Sequence, residues 1–86
     1  MTILPPDPNL DAVRLEVARQ RARHGWSYDQ LAERTGLSRR TLIDIEQGRS
    51  TGSLTTWHAL AHAFEVPVAT LTDPLCQGHQ PPGPSH

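Results

Sequence analysis

The chain lacks the features that mark secreted, membrane-spanning or uniformly basic proteins. It has one cysteine, which excludes an intramolecular disulfide and is typical of a reducing compartment. It has no basic start followed by an apolar stretch, and no apolar run long enough to span a membrane. A formal net charge of −1 excludes a protein that binds polyanions through its overall charge. We therefore expect a soluble, cytoplasmic protein with no membrane association.

Runs that alternate β-branched and aromatic residues are also missing, so the sequence predicts an all-α fold. Pro5, Pro6 and Pro8 crowd the start of the chain, and the final stretch CQGHQPPGPSH contains almost nothing apolar. Such segments cannot bury enough surface to offset the entropy of ordering them. We predict a flexible arm over residues 1–7, one folded domain over residues 8–73 and a disordered tail over residues 74–86.

Capping residues, glycines and prolines divide the folded part into five short helices. The predicted caps at the helix starts are Asp7 or Asn9, Ser27 (in a capping box with Gln30), Ser38 and Ser53. The predicted stops are Gly25, Gly36, Gly48 and Pro67, the last followed by a short turn over residues 68–71. Helical spacing assigns inward positions to Leu10, Val13, Val17, Ala18, Trp26, Leu31, Ala32, Leu42, Ile45, Leu54, Trp57, Leu60, Ala61 and Phe64.

Helices two and three are joined only by Gly36, Leu37 and Ser38, a connection typical of a helix-turn-helix. The stretch WSYDQLAERTGLSRRTLIDIEQGRSTGSLTTWHALAHAFEVPVATL resembles the lambda-repressor/Cro-type (XRE) helix-turn-helix family, and the similarity covers roughly residues 15–72. The matching marks are Leu31-Ala32, Gly36-Leu37-Ser38, Ile45-Glu46-Gln47-Gly48-Arg49, Ser53-Leu54, Ala61 and Phe64. The resemblance implies a five-helix bundle whose third helix, residues 38–47, enters the major groove of DNA.

The inward spacing of helix three leaves four polar residues for its outer face, and these are the predicted base contacts: Arg39, Arg40, Thr41 and Asp44. Arg39 and Arg40 match base-reading positions of the family, and arginine discriminates guanine by about 1–3 kcal/mol through its O6 and N7. The competing interpretation is a solvated basic face. Asp44 also matches a base-contact position. It could accept from cytosine N4, pair with Arg40 or repel phosphates, and we favour the pairing that holds Arg40.

Phosphate contacts are expected on both sides of this helix. Ser27 and Ser38 stand at helix starts, where anions bind readily. Arg49 and Ser50 match backbone-contacting positions of the family. Tyr28 replaces the usual glutamine and can still donate to a phosphate.

Two other positions bear on the structure of the domain. This chain has Gly52 at the position before Ser53 where the family has a proline, and the replacement predicts a looser loop. Arg21 and Glu46 match a partly buried ion pair of the family, which makes Glu46 structural and not a catalytic acid.

The remaining polar residues favour neither a metal site nor an enzyme. His58 and His62 are four residues apart, and Cys76 and His79 could add two ligands. They match no fixed motif, so we interpret them as surface residues and expect no metal and no cofactor. No catalytic spacing and no glycine-rich phosphate loop is present.

The sequence therefore predicts a small, sequence-specific transcriptional regulator, a repressor, that binds double-stranded DNA as a homodimer. Val66, Val68 and Leu71 are the predicted dimer contact. Regulation is expected to come from abundance, a protein partner or the tails. Two alternatives stay open: the antitoxin of a toxin–antitoxin pair, and a protein-interaction module that kept the fold without DNA binding.

Overall fold

The computed structural model describes residues 7–78, and in this range the chain forms helices and no strand. The α-helices are α1 (Leu10–His24), α2 (Tyr28–Thr35), α3 (Arg39–Glu46), α4 (Leu54–Phe64) and α5 (Val68–Thr72), followed by a 3₁₀ helix at Asp73–Cys76. None of the described helices combines the length and the apolar character that a membrane crossing requires. The predicted all-α, five-helix fold is confirmed.

Helix starts coincide with the predicted caps. Of the two candidates for α1, Asn9 is the cap, because its side-chain oxygen accepts from the Ala12 N–H at 3.0 Å. The capping box of α2 is complete, since Ser27 Oγ accepts from the Gln30 N–H and Gln30 Oε1 accepts from the Ser27 N–H. Ser38 and Ser53 cap α3 and α4 by a single bond each, since Ser38 Oγ accepts from the Thr41 N–H and Ser53 Oγ accepts from the Thr56 N–H. Each cap satisfies a backbone donor that the helix itself leaves free.

The end of α3 is a Schellman motif, in which Gly48 takes a left-handed conformation with φ of 78°. The N–H of Arg49 donates to the Asp44 carbonyl at 2.8 Å, and the N–H of Gly48 donates to the Ile45 carbonyl at 3.2 Å. A side chain at position 48 would be strained in this conformation. The turn therefore fixes where Arg49 leaves the helix.

The core lies where α1, α2, α3, α4 and α5 meet. Its buried residues are Val17, Leu31, Leu42, Leu60, Ala61, Phe64 and Leu71, with Trp26 and Trp57 half-buried against them. The inward assignment was wrong for Leu54, which is 88% exposed, and for Leu10, which is also exposed. Both are the first residues of their helices. Helical spacing identifies the apolar face, but burial also requires a neighbouring element to cover it.

The loop before α4 is tighter than the sequence predicted. The Trp57 indole N–H donates to the Thr51 carbonyl at 2.7 Å. Gly52 has φ of 74°, and a Cβ there would lie 3.2–3.3 Å from Thr56, Ile45 and Trp57. Proline cannot adopt a positive φ, so the glycine is required by this loop and does not simply loosen it.

The packed part of the chain extends beyond the predicted boundary at residue 73. The Asn9 N–H donates to the Leu75 carbonyl at 2.8 Å, and the Asn9 side-chain amide donates to the Gln77 carbonyl at 3.1 Å. Residues 74–77 therefore contact the start of α1, where a disordered tail was predicted. The rest of the predicted arm and tail, residues 1–6 and 79–86, lies outside the described residues.

The predicted dimer contact near α5 is wrong in its main apolar residue. Leu71 is fully buried in the core of its own chain and cannot contact a second copy. Val66 is half-buried, and only Val68 is exposed.

Candidate nucleic-acid interface

The connection between α2 and α3 is fixed by Thr35 and Gly36. The Thr35 hydroxyl donates to the Leu31 carbonyl at 2.8 Å and accepts from the Leu37 N–H at 3.1 Å. Gly36 adopts a left-handed conformation with φ of 76°, which turns the chain sharply after α2. The two helices are therefore held in a defined helix-turn-helix arrangement.

The outer face of α3 presents two neighbouring guanidinium groups. The side chains of Arg39 and Arg40 are 62% and 79% exposed. Thr41 is half-buried, and its hydroxyl is hydrogen-bonded to the Ser38 hydroxyl at 2.8 Å. The opposite face buries Leu42 and Ile45 in the core. The first turn of α3 thus offers two accessible cationic donors on the side away from the bundle.

Each arginine of this surface contacts an aspartate. Arg40 Nε lies 3.3 Å from both carboxylate oxygens of Asp44, which is the pairing favoured from the sequence. Asp44 Oδ1 also lies 3.4 Å from Arg49 Nη1, and Arg39 Nε lies 3.3 Å from Asp29 Oδ1 on α2. The last two pairs were missed in the sequence, because spacing rules within one helix do not apply across a turn. These five charged residues form two groups that adjoin at the neighbouring residues Arg39 and Arg40, and we call them together the reading surface.

The predicted phosphate donors, Tyr28 apart, are exposed beside the reading surface. Ser27 and Ser38 are exposed at the starts of α2 and α3, and Arg49 and Ser50 are exposed just after α3. The Asp29–Arg39 and Asp44–Arg49 contacts connect these segments to the outer face of α3. Helix starts, a guanidinium and hydroxyls are groups that bind phosphate oxygens.

Tyr28 differs from its prediction as a phosphate donor. Its hydroxyl donates to Glu46 Oε1 at 3.3 Å, and the Arg21 guanidinium carbon lies 4.2 Å from the centre of its ring. The hydroxyl proton is therefore directed into the fold. Burial, and then the charge of Glu46, raises the pKa of Tyr28 above its ordinary value, while the nearby Arg21 opposes the shift.

Glu46, the last residue of α3, forms a bidentate ion pair with Arg21 of α1. Arg21 Nε lies 2.8 Å from Glu46 Oε2, and Arg21 Nη2 lies 3.1 Å from Oε1. The side chain of Glu46 is only 5% exposed and that of Arg21 is 24% exposed. The hydrogen bond to Glu46 raises the pKa of Arg21, with burial opposing it. The pair implied by the family resemblance is present, and it fixes the end of α3.

A second arginine of α1 supports the same helix end. Arg14 Nη1 donates to the Glu46 carbonyl at 3.1 Å, and Arg14 Nε donates to Asp11 at 3.0 Å. This contact was not predicted, because a main-chain carbonyl carries no signal in the sequence. Arg14 thus donates a hydrogen bond to one of the carbonyl oxygens that have no partner within the helix.

Among the described residues, His58 and His62 do not form a cluster with other metal-ligating side chains. The rings of His58 and His62 lie 4.4 Å apart on α4. Within residues 7–78, no group of three or more histidine, cysteine, aspartate or glutamate residues is placed to hold a metal ion. His79 lies outside the described residues.

Comparison with known sequences identifies the domain type. Residues 12–75 match the family described as a helix-turn-helix domain. The HTH-type transcriptional regulator SutR of Escherichia coli K12 is 37% identical over 54 residues, which cover 63% of this chain and 30% of SutR. An uncharacterized HTH-type transcriptional regulator of Methanothermobacter thermautotrophicus is 37% identical over 52 residues, which cover 60% of this chain and 75% of that protein. The match therefore spans less than a third of the length of SutR.

Solved structures show the same fold. The restriction-modification controller protein C.AhdI from Aeromonas hydrophila superimposes with a TM-score of 0.70 and 27% identity, over 73% of this chain and 96% of that one. The N-terminal DNA-binding domain of SinR from Bacillus subtilis gives a TM-score of 0.67 and 26% identity, over 71% and 90% of the two chains. The chain therefore belongs to the lambda-repressor/Cro-type (XRE) family of helix-turn-helix domains.

Proposed function

We propose that the protein is a transcriptional regulator that binds specific sequences of double-stranded DNA, with α3 in the major groove. The observation that carries the proposal is the pair of exposed guanidinium groups, Arg39 and Arg40, at the start of α3. Residues at the start of a recognition helix meet the base edges, and arginine forks onto guanine. SutR is named a transcriptional regulator and the matched domain of SinR is DNA-binding, which supports the same role here.

The backbone of the DNA is contacted on either side of α3 in this proposal. The starts of α2 and α3, with Ser27 and Ser38, take one phosphate each through their free N–H groups and hydroxyls. Arg49 and Ser50 take a phosphate beyond the end of α3. These contacts set the orientation of the helix and carry no sequence information themselves.

We propose further that the binding unit is a homodimer that acts as a repressor in the cytoplasm, without a cofactor or a catalytic activity. The support for the dimer is the length of α3, which has eight residues and reaches few base pairs alone. Two copies of α3 would then read half-sites about 34–36 Å apart, one helical turn of DNA. Sedimentation of the free protein and of its DNA complex measures the stoichiometry directly.

Selection of bound duplexes from a random pool, followed by titration across salt concentrations, tests the proposal. We expect an enriched, two-fold symmetric sequence containing guanine in each half, and an affinity that falls steeply as salt rises. The near-neutral reading surface favours the alternative of a protein-interaction module. A pool that shows no enrichment, together with no salt-dependent binding of any duplex, would support that alternative.

A further inference from the structure

The reading surface carries less positive charge than its arginines imply. Its three arginines and two aspartates leave a formal charge of +1, and every arginine lies within 3.3–3.4 Å of a carboxylate. A surface that bound DNA through phosphates alone would gain by losing both carboxylates, because non-specific affinity grows with the number of phosphates neutralised. The carboxylates therefore oppose indiscriminate binding at the place where DNA is expected.

Asp44 is the carboxylate of this surface that contacts two of its arginines. Its carboxylate accepts from Arg40, a proposed base reader, and from Arg49, a proposed phosphate contact. Its main-chain carbonyl accepts from the N–H groups of Arg49 and Ser50 at 2.8 and 3.2 Å. The main-chain bonds end α3 whatever the side chain is. A change from carboxylate to amide at Asp44 therefore removes a charge without removing the turn.

Asp29 contacts Arg39, the other arginine that we propose to bind a base. It lies in the first turn of α2, where the helix dipole favours a carboxylate, and its side chain is 82% exposed. Arg39 lies in the first turn of α3, where the dipole disfavours a cation. The Asp29 carboxylate compensates for that unfavourable position while Arg39 is not bound to DNA.

We propose that Asp44 and Asp29 are specificity-determining residues that keep Arg40 and Arg39 neutralised until a matching sequence offers guanine in place of the carboxylates. This inference rests on the proposed function. On a non-matching duplex the arginines have only phosphates to gain, and the carboxylates are repelled by the same phosphates. On a matching duplex, Arg39 and Arg40 exchange their carboxylates for guanine O6 and N7, which accept two hydrogen bonds from one guanidinium.

The effect on binding follows from the charges. Neutralising either aspartate removes one repulsion from phosphates. The change at Asp29 frees Arg39, and the change at Asp44 frees Arg40 and Arg49. We expect non-specific affinity to rise about fivefold at low salt, the size of an exposed charge interaction. The slope of log affinity against log salt steepens by about 0.9 for each added phosphate contact. Specific affinity changes less, because the arginines already have guanine partners in that complex.

The test compares a selected duplex with a scrambled duplex of equal length, across salt concentrations, for four proteins. These are the wild type, Asp44→Asn, Asp29→Asn and the matched control Asp73→Asn. Asp73 is an exposed aspartate in the 3₁₀ helix, so its substitution makes the same change in net charge away from the reading surface. Thermal melting of each variant establishes that it is folded.

We expect Asp44→Asn and Asp29→Asn to lower the ratio of specific to scrambled affinity, with steeper salt dependence on the scrambled duplex, and Asp73→Asn to leave the ratio unchanged. Equal changes in all three variants, or equal weakening on both duplexes, would overturn the inference. A loss of preference at a single base pair in Asp44→Asn would also overturn it, by making Asp44 a base reader. If the wild type itself shows no preference between the duplexes, the proposed function fails, and this inference fails with it.

Discussion

The last residue of α3 and its outer face use the same pairing of arginine with carboxylate for opposite purposes. At its end, Glu46 is almost fully buried, and its two carboxylate oxygens lie 2.8 and 3.1 Å from Arg21. On its outer face, the guanidinium groups are exposed and lie 3.3–3.4 Å from a carboxylate, which is the exposed Asp29 for Arg39 and the half-buried Asp44 for Arg40 and Arg49. Buried charges lose their hydration and depend on their partner, whereas exposed pairs contribute about 0–1 kcal/mol. The buried pair therefore fixes the helix, and the exposed pairs are free to be exchanged for DNA.

The largest effect is expected from breaking the buried pair. Glu46→Ala leaves the Arg21 guanidinium without its carboxylate and should lower the free energy of unfolding by about 3 kcal/mol, the lower end for a buried pair because Arg21 is partly exposed. In a domain of this size the melting temperature should fall by more than about 12 °C. Calorimetry or circular dichroism measures it, with Asp29→Ala as the control for an exposed pair, since the side chains of Asp29 and Arg39 are both exposed. Similar melting of the two variants would remove the distinction between the buried pair and the exposed pairs.

Removing a base reader should affect binding and leave the fold intact. Arg39→Ala or Arg40→Ala should lose about 1–3 kcal/mol of discrimination at one base-pair position. The free energy of unfolding of either variant should stay within about 0.5 kcal/mol of wild type, because both arginine side chains are exposed. Binding to single-substitution duplexes measures the first quantity and thermal melting the second. Uniform weakening on every duplex would assign both arginines to phosphates.

Removing the proposed phosphate contact should have a smaller, sequence-independent effect. Arg49→Ala should weaken matching and scrambled duplexes alike and reduce the slope of log affinity against log salt by about 1. The measurement is a salt titration of both duplexes, with Arg19→Ala on α1 as a control arginine, since its side chain is exposed and paired with Glu16. An altered preference at one base pair would instead place Arg49 in the groove.

The smallest effect concerns Tyr28, whose hydroxyl joins the buried pair. Its pKa is raised in the fold above the ordinary value of 10.0, so the neutral form is favoured there. The associated stability is present below pH 10 and is lost as pH rises through the folded pKa. Denaturant unfolding at increasing alkaline pH should show this loss in wild type and not in Tyr28→Phe. Tyr28 is the one tyrosine in the chain, so tyrosinate absorbance reports its pKa directly. A titration at or below the ordinary value would contradict the assignment.

Much of the fold was readable from the sequence because it is specified locally. Ser27, Ser38 and Ser53 cap their helices within three residues, and the glycine stops require only a left-handed backbone. Burial at helix starts was not readable, as Leu10 and Leu54 show, because it depends on which elements lie alongside. The extension past residue 73 depends on main-chain bonds to Asn9, which leave no pattern in the sequence.

The candidate site likewise has contacts that are specified locally in the sequence and contacts that depend on packing between helices. Arg39, Arg40 and the Arg40–Asp44 pair follow from helical spacing within α3. The Asp29–Arg39 contact and the inward turn of the Tyr28 hydroxyl depend on how α1, α2 and α3 pack. The sequence therefore predicted four of the five charged groups of the reading surface and missed Asp29, the carboxylate that faces Arg39.

A paired substitution in protein and DNA tests whether the exposed guanidinium groups at the start of α3 read guanine. On the selected duplex, each guanine in turn is replaced by 7-deazaguanine, which removes the N7 acceptor. We predict that one replacement weakens wild-type binding about tenfold and has no further effect on Arg39→Ala or Arg40→Ala, since the lost bond is the same one. Equal losses in wild type and in both variants at every guanine would show that neither Arg39 nor Arg40 binds guanine N7.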